Sequence, residues 1–578
     1  YLKESLPEYM VPSYFVKLDK MPTTSNGKLD RRSLPEPNLD VTLTEYEAPR
    51  NKVEETLAKI WSEILGIERI GINDSFFEIG GHSLKAVQVV SLIQKEFGIK
   101  ISLKDIYNSS NISSLSKAIR ISKNYVAIYN EIVPLPKQES YDLSYAQKRL
   151  WILNQLQPNS PAYNMSECFT LFEEVNANVI QNIFNILIQR HDAFRTRFKD
   201  KDGVVVQIID ENANFNIDKE DLSILGQEEK NKERKRIYDE IATKIFNLEE
   251  GPLIHIKLVK LAYSEYDLIY CMHHIISDGW SLEVLKKEFL LLYEAHKQGR
   301  EYELEPLKIQ YKDFASWQNK LIENKEMAQP AKAFWQKQLR GEVPILKLPV
   351  DYIASSLNNR ESRGYRIVLA KDKKDKLKEL AQENGVSFFV VMITTFKFFL
   401  SDLTKQRDIL IGTATFGREH ADLQNVIGYF INTTILRNEI NAEESFTDLL
   451  QRINKNTLFA LEYQSYPLEL IVDELKIKYP KISAFFNMLN MGESTREYIN
   501  DFNCYHIDKV QDIKFELVWY VTEYANGIEI MCDYLLGLFE PLTIEYMMKR
   551  YMLLLDKVLT DHNKLLKEYV VDKKKRKL

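Results

Sequence analysis

The chain has 578 residues, with 77 Lys+Arg against 83 Asp+Glu, a net charge of −6, 45% hydrophobic and 28% charged residues. At roughly 100–200 residues per domain this length accommodates about three to five domains. Only 20 Gly and 18 Pro exclude a collagen-like or wholly disordered chain, and the near-balanced charge lacks the basic footprint of a nucleic-acid binder.

Residues 1–37 are rich in Pro and turn formers, with basic residues at Lys28, Arg31 and Arg32. Residues 38–49 read as a polar, acidic linker. Over 50–122 the pattern is helical. Val53, Leu57, Ile60, Ile64 and Leu65 recur at helical spacing, a second amphipathic helix runs from about Leu84 to Gly98, and one or two short helices follow. Three to four helices in about seventy residues predict a small bundle. A second linker, 123–139, contains Pro134 and Pro136. From 140 to about 560 strand-like runs such as LIYCM at 268–272 and ILIG at 409–412 alternate with helical stretches at 282–296 and 371–384, an α/β pattern. Residues 227–240 read as a solvated, charged helix, and 561–578 as a linker ending in the basic tail KKKRK. The four cysteines, Cys168, Cys271, Cys504 and Cys532, lie far apart with no C-x-x-C pair, which fits a reducing, cytoplasmic setting. The longest apolar run, 388–393, is far below the roughly 20 residues that span a bilayer, so no membrane partner is expected.

The first chemical signal is DSFFEIGGHSL at 74–84. Its two glycines permit a tight turn, which puts Ser83 at the mouth of a helix where free N–H groups and the macrodipole favour an anion such as a phosphate ester. A plain N-cap serine is the simpler reading of the local pattern. A serine-hydrolase elbow fits poorly, because GHSLK lacks the second glycine of G-x-S-x-G. These eleven residues, inside a helical region of this size, closely resemble the peptidyl carrier protein of nonribosomal peptide synthetases. The resemblance implies that a phosphopantetheinyl transferase attaches 4′-phosphopantetheine to Ser83, whose thiol then holds an aminoacyl or peptidyl thioester. A flexible tether of this kind raises the effective concentration of its cargo at a neighbouring site.

The second signal is CMHHIISDGWS at 271–281, directly after a strand. Consecutive side chains on a strand point to opposite faces, so His273 and His274 do not aim at one metal without an intervening turn, and no metal site is expected. A histidine at a strand end followed by Asp278 and Gly279 suits a general base held at a cleft, while a hydrogen-bonded core histidine is the plainer alternative. H-H-x-x-x-D-G resembles the signature of nonribosomal peptide condensation domains, and further stretches resemble that family's other motifs in the same order. These are SYAQKRLW at 144–151, RHDAFRTRF at 190–198, YKDFASW at 311–317, IGYFINT at 427–433 and YQSYP at 463–467. Departures are Asp192 and Phe194 where Glu and Leu are usual, Ala414 where Pro is common, and a weak match at 483–490. The resemblance implies two chloramphenicol-acetyltransferase-like lobes, about 140–315 and 316–560. It implies that His274 either accepts a proton from an attacking amine or positions it and stabilises the tetrahedral intermediate. Asp278 is expected to hold the loop, with Arg418 as its candidate partner, and the N–H of Gly279 to help orient the arm.

TTSNGKLDR at 23–31 is not a phosphate loop, since Pro22 and Leu29 stand where Gly and Ser/Thr are required. With LPEYMVP at 6–12 it resembles the end of an adenylation domain, whose lysine, here Lys28, is expected to be idle without the rest of that domain. The chain therefore reads as an excised fragment of a longer assembly line of the antibiotic or siderophore kind. The expected partners are an upstream adenylation domain and a downstream peptidyl carrier domain that brings the acceptor amine. The carrier–condensation order resembles the donor arrangement, and the wording GGHSL and HHIISDGWS resembles domains taking an L-configured donor. An epimerization-type member of the same fold and a non-catalytic carrier-docking scaffold are the alternatives.

Overall fold

The computed structural model describes residues 46–569, apart from 78, 82, 100, 102, 123–130, 212–214, 301–302, 353–360, 490–503 and 509–512. Lys28, Arg31, Arg32, His82 and the basic tail lie outside the described residues.

The helical region contains helices Lys52–Leu65, Ser83–Phe97, Leu103–Asn108 and Ile112–Ser122. The first begins where Asn51 caps the amide of Glu54 at 3.2 Å. Glu54 is 2% exposed, and its carboxyl is lowered to about 2, chiefly by hydrogen bonds from Arg50. Arg50 also donates to Ser113 at 3.0 Å, which ties the first helix to the last. Leu57, Trp61, Phe76, Val89, Ile93, Ile106 and Leu115 form a continuous core between them. Gly98 ends the second helix at φ 63, its N–H bonding Gln94 O.

The larger region has two lobes. In the first, β1 (Tyr141–Asp142), β3 (Thr196–Lys201) and β4 (Val204–Ile209) pair in the order β1-β4-β3. Beside them β2 (Asn164–Leu171), β5 (Asp218–Asp221), β6 (Ile254–Ala262) and β7 (Glu265–His273) pair in the order β2-β7-β6-β5. β7 is central and buried along nearly its whole length, which is why its run is apolar at successive positions. In the second lobe β8 (Ser362–Ala370), β9 (Asp408–Thr415), β10 (Asn432–Glu439), β11 (Ala484–Met488), β12 (Tyr505–Asp508), β13 (Leu517–Tyr524) and β14 (Gly527–Leu535) form one sheet. Its order is β10-β9-β11-β13-β14-β8-β12, with β11 parallel to β9 and β13. The apolar run at 388–393 lies in helix Phe388–Thr404, which is buried around most of its circumference. No single described helix is long and apolar enough to cross a membrane.

The lobes do not divide cleanly at 315/316. Helix Tyr311–Glu323 runs through that point, and Tyr311, Phe314 and Ala315 pack in the first lobe's core. So do Leu423, Val426, Ile427, Tyr429 and Phe430, from the segment between β9 and β10. The chain of the second lobe therefore returns to cover the first. Gly428 permits this close approach, because a Cβ there would lie 1.9 Å from the Tyr311 ring.

Candidate active site

β7 pairs antiparallel with β2 so that His273 lies opposite Asn164. The strand then ends in the short turn His274–Ile276, with the His274 amide bonding Tyr163 O at 2.7 Å. This turn sends the two imidazoles to different surroundings. His273 is 2% exposed, and its Nδ1 accepts from the Ile275 amide at 3.1 Å, so it fastens the turn from within. His274 is only partly buried and stands edge-on to Tyr429, ring centroids 5.0 Å apart. Its Nδ1 is 2.8 Å from Ser277 O. A carbonyl oxygen only accepts, so Nδ1 carries the hydrogen and the lone pair resides on Nε2. Burial above all, and then the charge of Lys514, lowers His274 to about 3, so the ring is neutral at pH 7. His273 is lowered to about 3 by burial, with smaller contributions from His274 and Lys514.

Asp278 is fully buried and caps helix Gly279–Lys297. Its Oδ1 accepts from the Ser281 amide and hydroxyl, both at 2.7 Å, and from Arg418 Nη2 at 3.1 Å. Its Oδ2 accepts from the Phe430 amide at 3.1 Å. Arg418, 2% exposed, also donates to Leu423 O and Val426 O and lies 4.1 Å over the Phe430 ring. The aspartate thus fastens the histidine turn of the first lobe to the segment that crosses from the second. Gly279 is the first residue of the helix that Asp278 caps. Tyr429, which His274 meets edge-on, also lines a small cleft with Tyr145, Arg149, Asn432, Pro467 and Glu469.

Ser83 is the first residue of helix Ser83–Phe97. Gly80 precedes it at φ 99, and a Cβ on Gly81 would lie 2.3 Å from Phe76 O. The turn is therefore drawn tightly against the core, and the helix start, with its free N–H groups, suits the phosphodiester of a pantetheine arm.

That same helix meets the larger region. Lys95 pairs with Asp422 at 2.8 Å, Gln88 donates to Gln424 at 2.7 Å, and Leu458 and Leu461 pack against the helical core. Gln424 O in turn accepts from Trp280 Nε1 at 2.8 Å, so the contact adjoins the histidine motif. Sequence reasoning missed Tyr163, Asp422, Gln424 and Lys514, because none falls in a motif and each acts across a fold contact distant in sequence. Reversing Lys95 to Glu should slow transfer within the chain about 2- to 5-fold, and Asp422→Lys in the same protein should restore it. This is the scale of one partly exposed ion pair, and single-turnover product formation at low salt measures it.

The fold and site define a helical carrier joined to a two-lobed acyl-transfer enzyme with a histidine turn at the lobe boundary. Residues 137–578 match the condensation domain family and residues 55–119 the phosphopantetheine attachment site family. The chain is 35% identical over 96% of its length to gramicidin S synthase 2 of Brevibacillus brevis. It is 36% identical over 97% of its length to surfactin synthase subunit 1 of Bacillus subtilis strain 168. It spans 12% and 15% of those relatives. Its fold is similar to the X-domain from teicoplanin biosynthesis (TM-score 0.66, 19% identity, 75% of this chain and 98% of that one). A starter condensation domain of rhizomide synthetase gives a TM-score of 0.62 at 19% identity, over 75% of this chain and 97% of that one. The chain belongs to the nonribosomal peptide synthetases, as a carrier domain followed by a condensation domain. Domains of the first kind carry 4′-phosphopantetheine on a serine, and those of the second form peptide bonds.

Proposed function

We propose that this chain joins an acyl group held on Ser83 to the amine of an amino acid carried by a downstream peptidyl carrier, with His274 at the reacting nitrogen. When bound, the pantetheine arm supplies the thiol that holds the donor as a thioester. The remaining work falls to the protein's own side chains. His274 Nε2, whose lone pair is free because Ser277 O holds Nδ1–H, accepts a hydrogen bond from the incoming amine and aims it at the carbonyl carbon. Since the ring is lowered to about 3, it orients the amine rather than retaining its proton, which ends on the departing sulfur. Asp278 and Arg418 hold the turn that presents His274. The observation that carries the reading is this fixed tautomer at the lobe boundary.

Loading requires an upstream adenylation domain to choose the donor and a transferase to modify Ser83. The site wording GGHSL and HHIISDGWS favours an L-configured donor. Intact-mass analysis with coenzyme A and a phosphopantetheinyl transferase should add one arm to the wild type and none to Ser83→Ala. An unmodified wild type would remove Ser83 from the reading. Loaded with L- or D-aminoacyl donors against an aminoacyl acceptor carrier, the protein should yield dipeptide faster from the L form. Equal rates would refute the stereochemical assignment.

A further inference from the structure

Lys514 lies just before β13, in the second lobe, and reaches toward the histidine turn of the first. Its Nζ lies 4.1 Å over the ring of Tyr163, the residue whose carbonyl holds the His274 amide at 2.7 Å. Its charge acts on both His273 and His274. The side chain is exposed, so its ammonium is open to an arriving substrate. It has no hydrogen-bond or carboxylate partner among the described residues. The other groups facing it are Tyr163 before β2, His273 and His274 at the end of β7, and Arg149 on helix Tyr145–Leu156. Behind Arg149 stand Tyr479, Tyr429 and Glu469, whose carboxylate lies 3.4 Å from Arg149. An ammonium with no acid beside it among the described residues attracts a negative charge that arrives there. At this place the reaction itself generates one.

We propose that Lys514 supplies the positive charge that meets the acyl carbonyl oxygen as it turns negative during amide formation. In that step the amine nitrogen bonds to the carbonyl carbon, the carbon–sulfur bond breaks, and the amine proton ends on the thiol. Lys514 donates a hydrogen bond to the oxygen throughout and neither gains nor loses a proton. A positive donor held where charge develops is among the larger catalytic contributions open to a single side chain. The assignment rests on the reading of His274 as the place of amide formation.

Burial above all, and then Arg149, lowers Lys514 to about 7, so its charge is present below pH 7 and lost above it. Measured in single turnover with Ser83 loaded, wild-type amide formation should therefore fall as pH rises through 7, even though the acceptor amine becomes more nucleophilic. Lys514→Met should slow the reaction roughly 10²- to 10³-fold. Lys514→Arg, charged at every accessible pH, should stay within about tenfold of wild type and lose the alkaline decline. A second readout needs no turnover. A dipeptide phosphonamidate, which mimics the anionic adduct, should bind the unloaded Lys514→Met protein about tenfold more weakly than wild type. Wild-type rates or analogue binding in Lys514→Met overturn the proposal, as does an Arg variant as slow as the Met variant. A defect confined to acceptors bearing a carboxylate, glutamate but not alanine, also overturns it, since Lys514 would then read the substrate's side chain. If wild type makes no peptide at all, the functional reading fails, and analogue binding still judges the lysine.

Discussion

His274→Ala should lower peptide formation about 10²- to 10⁴-fold while leaving carrier loading and the folding transition close to wild type. The imidazole is partly exposed, and among the described residues its one polar bond runs from Nδ1 to Ser277 O. Its removal therefore subtracts the lone pair at the reacting nitrogen without opening a large cavity. Quenched-flow assay of dipeptide from a loaded donor and a loaded acceptor carrier measures the rate, and thermal unfolding measures the fold. A variant that forms peptide at the wild-type rate would leave the cleft as a docking scaffold. The neighbouring His273→Ala sets the contrast, because that ring is buried and accepts from the Ile275 amide. It should lower the unfolding temperature before it lowers the chemistry.

Such a contrast was legible in the sequence only in part. The strand 268–272 and the rule that neighbouring side chains on a strand diverge are enough to separate the two histidines. What the chain cannot announce locally is the short turn that rotates His274 toward Tyr429, nor the carbonyl of Ser277 that fixes its tautomer. The carrier shows the same split. Helical periodicity predicts three to four helices and the glycine pair a turn before Ser83, whereas the pairing of Lys95 with Asp422 joins residues 327 positions apart and has no periodic signal. The crossing between the lobes likewise has no local signal. Residues 423–430 follow a strand of the second lobe in sequence but bury their apolar side chains in the first, where Gly428 lies against the Tyr311 ring. Asp192, unusual for its motif, is bound by Arg195 at 2.7 Å and by Lys312, so the shorter acid has its partners here. Nothing in the structure explains Ala414 where proline is common.

Removing the acid that binds these lobes should have the largest effect on stability. Asp278→Ala is expected to cost about 3–5 kcal/mol, because it leaves the Arg418 guanidinium buried without its counter-charge and strips the cap from helix Gly279–Lys297. Asp278→Asn should cost less, since an amide oxygen still accepts from Ser281 or Phe430 although the charge is lost. Arg418→Met should also destabilise, because Leu423 O and Val426 O lose their donor. The two residues form one unit, so the double variant Asp278→Ala/Arg418→Met should be distinctly less unstable than the two single costs combined, and urea unfolding of all four proteins measures that coupling. Activity should follow a different course. Any variant that frees the segment from Arg418 to Phe430 also frees Tyr429, which flanks His274, and Gln424, which holds both Trp280 and the carrier's Gln88. The double variant, even where its fold is partly restored, should therefore remain at least about tenfold slow in transfer from Ser83. Recovery of full rate with the double variant would show that Asp278 serves the fold alone and that the histidine turn needs no anchor across the lobes.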